Sequence, residues 1–257
     1  MEVRALSGSV EIIGIRGMPI IRPGDDLASM IVEGAKKMGV GIKDGDVIVV
    51  THVAVARAEG KIIQLKDIEP SDLAKRIAEE AGKDPRHVEV VLRESRSIVR
   101  MQNGIIISKT KHGIVCANAG VDASNASEDE SVVTLPDDPD LSAKKIREGI
   151  ERLTGSRVAV IISDTQGRPF RRGVVNVAIG CSGIQPLWDR RGELDLFGRA
   201  LRSKITCVAD ELCSAAELVI GQAAEGIPVA IIRGYRYLRG EVPASVILRD
   251  RNEDLFV

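Results

Sequence analysis

Short runs of uninterrupted or alternating apolar residues recur along the chain at Val10–Ile15, Asp46–Thr51, Ile105–Lys109, Ile114–Asn118, Val158–Ser163, Val174–Ile179 and Val229–Arg233. This pattern predicts β-strands. Between several of them apolar residues return three and four positions apart, which predicts helices over Asp26–Met38, Ser71–Ala81, Pro85–Val99, Ala143–Leu153 and Cys207–Ile220. Start signals support three of these. Ser71 is placed to cap DLAKRIAEEAG, Asp84 precedes a proline suited to the first helical position, and Ser142 precedes AKKIREGIERL. Gly82 and Gly155 stand near the ends of the first and third.

The two kinds of element mix without the regular strand-helix-strand spacing of a doubly wound sheet, so the predicted class is α+β with a mixed sheet. Residues 1–257 read as a single domain or as two intertwined lobes. The seam is the acidic, turn-forming stretch Ser124–Asp140, SNASEDESVVTLPDDPD. Val132, Val133 and Leu135 argue against a flexible linker there.

Composition narrows the function classes. Hydrophobic residues make up 44% of the chain and charged residues 28%, the profile of a globular protein rather than a disordered one. No apolar run approaches the ~20 residues of a membrane span. Glu2, Arg4, Glu11 and Arg16 interrupt any signal-peptide core, so a cytoplasmic location is expected. Cys116, Cys181, Cys207 and Cys213 form no C-x-x-C pair and sit in apolar or helical surroundings, which points to neither a disulfide framework nor a zinc site. Lysine plus arginine (36) nearly balances aspartate plus glutamate (37), and the aromatics are one Trp, two Tyr and three Phe. With no basic field and few stacking rings, nucleic acid is not an expected partner.

Candidate chemistry is limited first by what is missing. Neither G-x-x-x-x-G-K-[ST] nor G-x-G-x-x-G occurs. His52, His87 and His112 lie in no nucleophile-elbow pattern, which disfavours a hydrolase triad. The informative segment is the apolar run VAVIIS leading into DTQGRPFRRG, Asp164–Gly173. A carboxylate and a hydroxyl at a strand end suit a hard cation, and Arg168, Arg171 and Arg172 suit phosphate or carboxylate oxygens. An Asx-type turn with solvated arginines is the competing reading of the same residues. CANAGVDASNAS, with Asn118, Asp122, Ser124 and Asn125, reads as a close-approach loop or a polar turn. IGQAAEGIP exposes Gln222 and Glu225 after a helix, where Gly221 or Gly226 also explains a plain C-cap.

Taken together and in order, GIRGMPIIRPGDDL, AEGK, VCANAGVDASN, DTQGRPFRRG, VADELCSAAELVIGQAAEGIP and the terminal EDLF resemble the coenzyme F420-0:L-glutamate ligase (gamma-glutamyl ligase) family over nearly the whole chain, in its stand-alone form. The resemblance implies a two-lobed α+β homodimer. It also implies a GTP-dependent ligase that activates the terminal carboxylate of F420-0 as an acyl phosphate, joins it to L-glutamate, can add a second glutamate through a gamma linkage, and releases GDP and phosphate. It places a first divalent cation, magnesium or manganese, on Asp122 and Asp164 and a second on Thr165 and Gln222, with potassium assisting. Nucleotide contacts map to Met18, Pro19, Ile20 and Ile21, to Arg57 and Asn125, and to Ile220, Gly221, Gln222, Ala223, Ala224, Glu225, Gly226 and Ile227. Arg168 and Arg171 are the expected catalytic cations.

One stretch departs from the family. Where many members read TSKIVSKAEG, this chain reads THVAVARAEG from Thr51 to Gly60. His52 and Ala56 replace hydroxyl side chains, and Arg57 stands where a nucleotide-contacting lysine is usual. Arginine keeps the charge but not the point geometry of an ammonium. Two other readings follow: a ligase with a different carboxylate acceptor, and a non-catalytic nucleotide- or metal-binding module.

Overall fold

The computed structural model describes residues 8–123, 130–250 and 252–254. In chain order the elements are β1 (Glu11–Gly14), α1 (Leu27–Lys37), β2 (Val47–Thr51), α2 (His52–Ala58), β3 (Ile62–Gln64), α3 (Asp72–Ala81), α4 (Pro85–Glu94), β4 (Ser95–Gln102), β5 (Ile105–Thr110), β6 (Val115–Ala117) and β7 (Ser131–Val133). They continue as α5 (Pro139–Thr154), β8 (Ala159–Arg168), β9 (Arg171–Ser182), β10 (Leu187–Asp189), β11 (Ile205–Cys207), α6 (Val208–Ile220) and β12 (Val229–Arg233). Strands and helices are mixed as expected, with several sheets and six α-helices among the described residues.

The main sheet runs β1-β12-β2-β8-β9. Its pairings are antiparallel except for β2 beside β8, which run parallel. Successive side chains of a strand point to opposite faces, and both faces here are covered. Ile48, Val50, Val160, Ile162 and Ile231 pack with α1, α2 and α5 on one side. Val47, Val49, Ile161 and Ile232 pack with Leu212, Cys213 and Ala216 of α6 on the other. A strand buried on both faces becomes a continuous apolar run, which is why VIVV and AVII stand out in the sequence. A third core, separate from these, joins α3 and α4 to Ile106 of β5 and Val132 of β7. Around it lie the sheet β4-β5-β6 and the pair β3-β7.

Several elements differ from the sequence expectation. The helix expected over Pro85–Val99 stops at Glu94, because Ser95 turns extended and β4 pairs with β5, Ile98 opposite Ser108 and Met101 opposite Ile106. The helix expected to start after Ser142 starts earlier, with Pro139 in its first turn and the Asp138 carboxylate accepting from Leu141 N at 2.9 Å. Ser142 instead bonds back to the Asp138 carbonyl and to Glu59. The runs Val158–Ser163 and Val174–Ile179 are parts of one long hairpin, β8–β9, whose two-residue turn is Pro169–Phe170. Asp164 therefore lies within a strand rather than at its end. Of the stretch Ser124–Asp140, residues 124–129 lie outside the described residues, Ser131–Val133 is β7, and Pro139 opens α5. Among the described residues no helix is long and apolar enough to cross a membrane.

Candidate active site

The parallel pair β2 and β8 stays in register through Thr51 opposite Ser163. At the next step the strands part: β2 turns into α2, whose first residue is His52, while β8 continues into Asp164. The two side chains meet there, His52 Nδ1 lying 3.2 Å from Asp164 Oδ1. Asp164 is only 4% exposed. Its other oxygen accepts from Gln166 Nε2 at 2.9 Å. A buried carboxylate needs such donors to stay charged.

The next residue of β8, Thr165, faces Asn176 across the hairpin. Thr165 Oγ1 donates to Asn176 Oδ1 at 2.8 Å. Gln222, just past α6, donates from Nε2 to Thr165 Oγ1 at 3.0 Å and to Asn176 Oδ1 at 3.3 Å. The turn that brings Gln222 there needs Gly221 at φ 77°, a left-handed value at which a side chain is strained. Asp122 enters from the other core. Its backbone pairs with Val133 in both directions, at 2.9 and 2.8 Å. The turn before it holds Asn118, Ala119 and Gly120 all at positive φ. Strained backbone of this kind gathers at functional sites, and here a Cβ on Gly120 would meet Leu135 at 2.8 Å.

These residues share one cavity of about 720 Å³, within the range of small-molecule sites. Met18, Pro19, Ile20 and Ile21 form one wall, tied down by buried Arg57, whose Nε donates to the Ile21 carbonyl at 2.9 Å. Ile220, Gly221, Gln222, Ala223, Glu225, Gly226 and Ile227 form another. Glu225 folds back to accept from the Ala223 amide at 2.7 Å. Ala224 is exposed on the same loop without lining the cavity. Cys116 also lines the cavity, its thiol pushed up to about 12 by burial and then by the Asp164 charge, away from the reactive thiolate form.

The cavity thus brings together all four residues expected to hold metal, and the nucleotide set except Ala224 and Asn125; Asn125 lies outside the described residues. Arg168 and Arg171 pair with each other beside the hairpin turn and do not line the cavity. Asn176, Gln166 and the Asp164 contact of His52 escaped the sequence reading. A lone asparagine inside VVNVAIG was the available signal for the first.

Among the described residues no three His, Cys, Asp or Glu side chains cluster as a metal centre. The donor set is instead two carboxylates, a hydroxyl and a carboxamide. These are hard oxygen donors, and they fit magnesium or manganese with a ligand's oxygens completing the sphere.

Fold and site together define a mixed α/β protein with a cavity lined by two carboxylates, hydroxyls and carboxamides beside an apolar wall. Comparison with known proteins identifies the family. The family described as F420-0:Gamma-glutamyl ligase matches residues 14–234, and the chain belongs to that family. It is similar to the Coenzyme F420:L-glutamate ligase of Methanothermobacter thermautotrophicus, with 50% identity over 96% of this chain and 98% of the relative. The enzymes of the same name from Methanopyrus kandleri (49%, over 97% of this chain and 99% of the relative) and Methanocaldococcus jannaschii (47%, over 96% of each) are comparably close.

Proposed function

We propose that this chain is a ligase that joins L-glutamate to coenzyme F420-0, with GTP as the activating co-substrate. The carrying observation is the convergence of Asp122, Asp164, Thr165 and Gln222 on one cavity in a chain 50% identical to a Coenzyme F420:L-glutamate ligase. GTP lies along Met18–Ile21, Arg57 and the Ile220–Ile227 loop. Asp122 and Asp164 hold one divalent cation, Thr165 and Gln222 a second, and potassium assists. Bound there, the cations neutralise the phosphate oxygens that crowd together during phosphoryl transfer.

The terminal carboxylate of F420-0 attacks the γ-phosphoryl group, GDP leaves, and the amine of L-glutamate displaces phosphate from the acyl phosphate to form the amide. A second glutamate follows through a gamma linkage. The chain's own residues bind and orient. Buried Arg57 supplies fixed positive charge and holds the Met18–Ile21 wall, and the apolar surface of Ile21 and Ile227 lining the cavity limits water around a hydrolysable intermediate. Arg168 and Arg171 lie outside this protomer's cavity, and a homodimer gives them a role at a neighbouring site. The adjacent Leu196 (100% exposed) and Phe197 support that assembly, since large apolar side chains so fully exposed mark contact surfaces.

The test supplies purified protein with F420-0, L-glutamate, manganese and either GTP or ATP, and reads the deazaflavin by mass. A glutamyl increment with phosphate release is expected with GTP. No increment with either nucleotide rejects the ligase reading in favour of a binding module. Turnover of another carboxylate but not F420-0 moves the acceptor.

A further inference from the structure

We propose that His52 is a positioning residue for Asp164, clamping the carboxylate in the orientation in which it takes a divalent cation. The inference rests on the metal reading above. Strand register puts the pair together: β2 and β8 are matched through Thr51 and Ser163, and His52 and Asp164 are the next residue on each. Both are buried, at 6% and 4% exposed.

A carboxylate oxygen only accepts, so the imidazole can donate to it only through a proton on Nδ1, the ring atom in ion-pair contact with Oδ1 at 3.2 Å. The other ring nitrogen, Nε2, is buried with no hydrogen-bond partner. Burying a polar atom unpaired is unfavourable, and an apolar ring would fill the same space without it. What histidine supplies here is a polar Nδ1 facing the carboxylate.

Gln166 holds the opposite oxygen at 2.9 Å. Gln166 on one oxygen and the His52 contact on the other limit how far the carboxylate can swing, yet part of its roughly four lone-pair sites remains open to a cation. Partners of this kind fix a ligand's direction, and removing one typically weakens metal binding about 10–100-fold.

The experiment titrates Mn2+ into the full-length protein with GDP present and follows the free-ion electron paramagnetic resonance signal, subtracting a GDP blank. Four variants are compared: His52→Phe, which keeps a ring without a donor; His52→Asn, which places an amide N–H near Nδ1; His52→Gln, which places one near Nε2; and Asp164→Asn. His52→Phe and His52→Gln should weaken Mn2+ binding at least about tenfold, while His52→Asn stays within about threefold of the parent and thermal unfolding midpoints remain close. Parent-like affinity in His52→Phe overturns the proposal, as does equal weakening in all three His52 variants, which marks a packing role. If His52→Phe does not fold, the Asn and Gln pair decides alone. Asp164→Asn separates the two levels: unchanged Mn2+ binding there removes the metal reading itself, whereas weak binding there with a parent-like His52→Phe removes only the role of His52.

Discussion

Replacing Asn176 by alanine tests the hinge of the proposed second cation site. Asn176 is 2% exposed, and its Oδ1 accepts from Thr165 Oγ1 at 2.8 Å and Gln222 Nε2 at 3.3 Å. The first bond is short and contributes about 1 kcal/mol, while the second is near the distance limit and adds roughly half as much. Thr165 is half-buried on the cavity wall, so cavity water can take over its hydroxyl proton and no full desolvation penalty remains. The expected stability loss is therefore roughly 1–2 kcal/mol, a fall of about 2–8 °C in unfolding midpoint for a chain of this size. A loss that small leaves nearly all molecules folded at 25 °C. Activity should fall further, because Thr165 and Gln222 lose their common anchor: at least about tenfold in kcat/KM, equivalent to ~1.4 kcal/mol of transition-state stabilisation. Glutamylated product and phosphate release measure the one, thermal unfolding the other. Gln222→Ala is the counterpart, since it leaves the Thr165–Asn176 bond intact on an exposed residue and should lower activity with little change in midpoint. Parent-like turnover in Asn176→Ala refutes the anchoring role of this triangle.

Three further outcomes follow from the packing. Gly149→Ala gains about 1 kcal/mol in helix propensity, but its new Cβ would stand 2.5 Å from the Ala28 Cβ where α5 crosses α1; overpacking of about 1–3 kcal/mol wins, and denaturant titration should show net destabilisation. Arg233 reaches Asp46 at 2.9 and 2.7 Å, with Asp46 fully buried and Arg233 partly open to water. Arg233→Ala strands a buried carboxylate and should cost more, about 3–5 kcal/mol, than Asp46→Ala, whose orphaned guanidinium can hydrate; equal losses in chemical unfolding would contradict this. Burial, then nearby carboxylates, pushes Cys116, Cys181 and Cys207 up to about 12 and Cys213 well above the usual thiol range. The thiolate is the reactive form, so folded protein at about pH 8 should resist iodoacetamide, with uptake by mass appearing only on unfolding.

The parts of the fold legible in the sequence were those whose burial is periodic. VIVV and AVII are recognisable because both faces of β2 and β8 are covered, and α3 announces itself through Ser71, which accepts from Ala74 N at 3.2 Å, and through Gly82 in the left-handed conformation. What local pattern could not supply was pairing at a distance. Ser95–Val99 continues the helical spacing of α4, and only β5 makes Ser95–Gln102 a strand. His52–Ala58 alternates like an extension of β2, yet it is helical because β2 ends its pairing with β8 at Thr51 and the following residues pack onto the α1–α5 side. Asp138 and Ser142 both precede helical spacing, and Pro139, tolerated in a helix only in its first turn, makes Asp138 the cap.

For the site, local reading left each segment balanced between a ligand loop and an ordinary turn, and resemblance to a family tipped the balance by supplying the joint set. The structure gathers these residues around one parallel strand pair. In the described main sheet β2 and β8 are the sole parallel neighbours, so only there do two adjacent strands end their pairing pointing the same way. Ligands in open sheets favour the carboxyl ends of parallel strands, where the chains diverge and leave a crevice. Here one strand diverges as a helix carrying His52 and Arg57, and the other runs on as a hairpin arm carrying Asp164 and Thr165. The antiparallel return strand β9 can then place Asn176 opposite Thr165, and the end of α6, packed on the sheet's far face, closes the triangle with Gln222. Asn176 was invisible beforehand for the same reason: its role comes from register with a residue eleven positions away, and a buried asparagine in an apolar strand has meaning only once its two donors are in view.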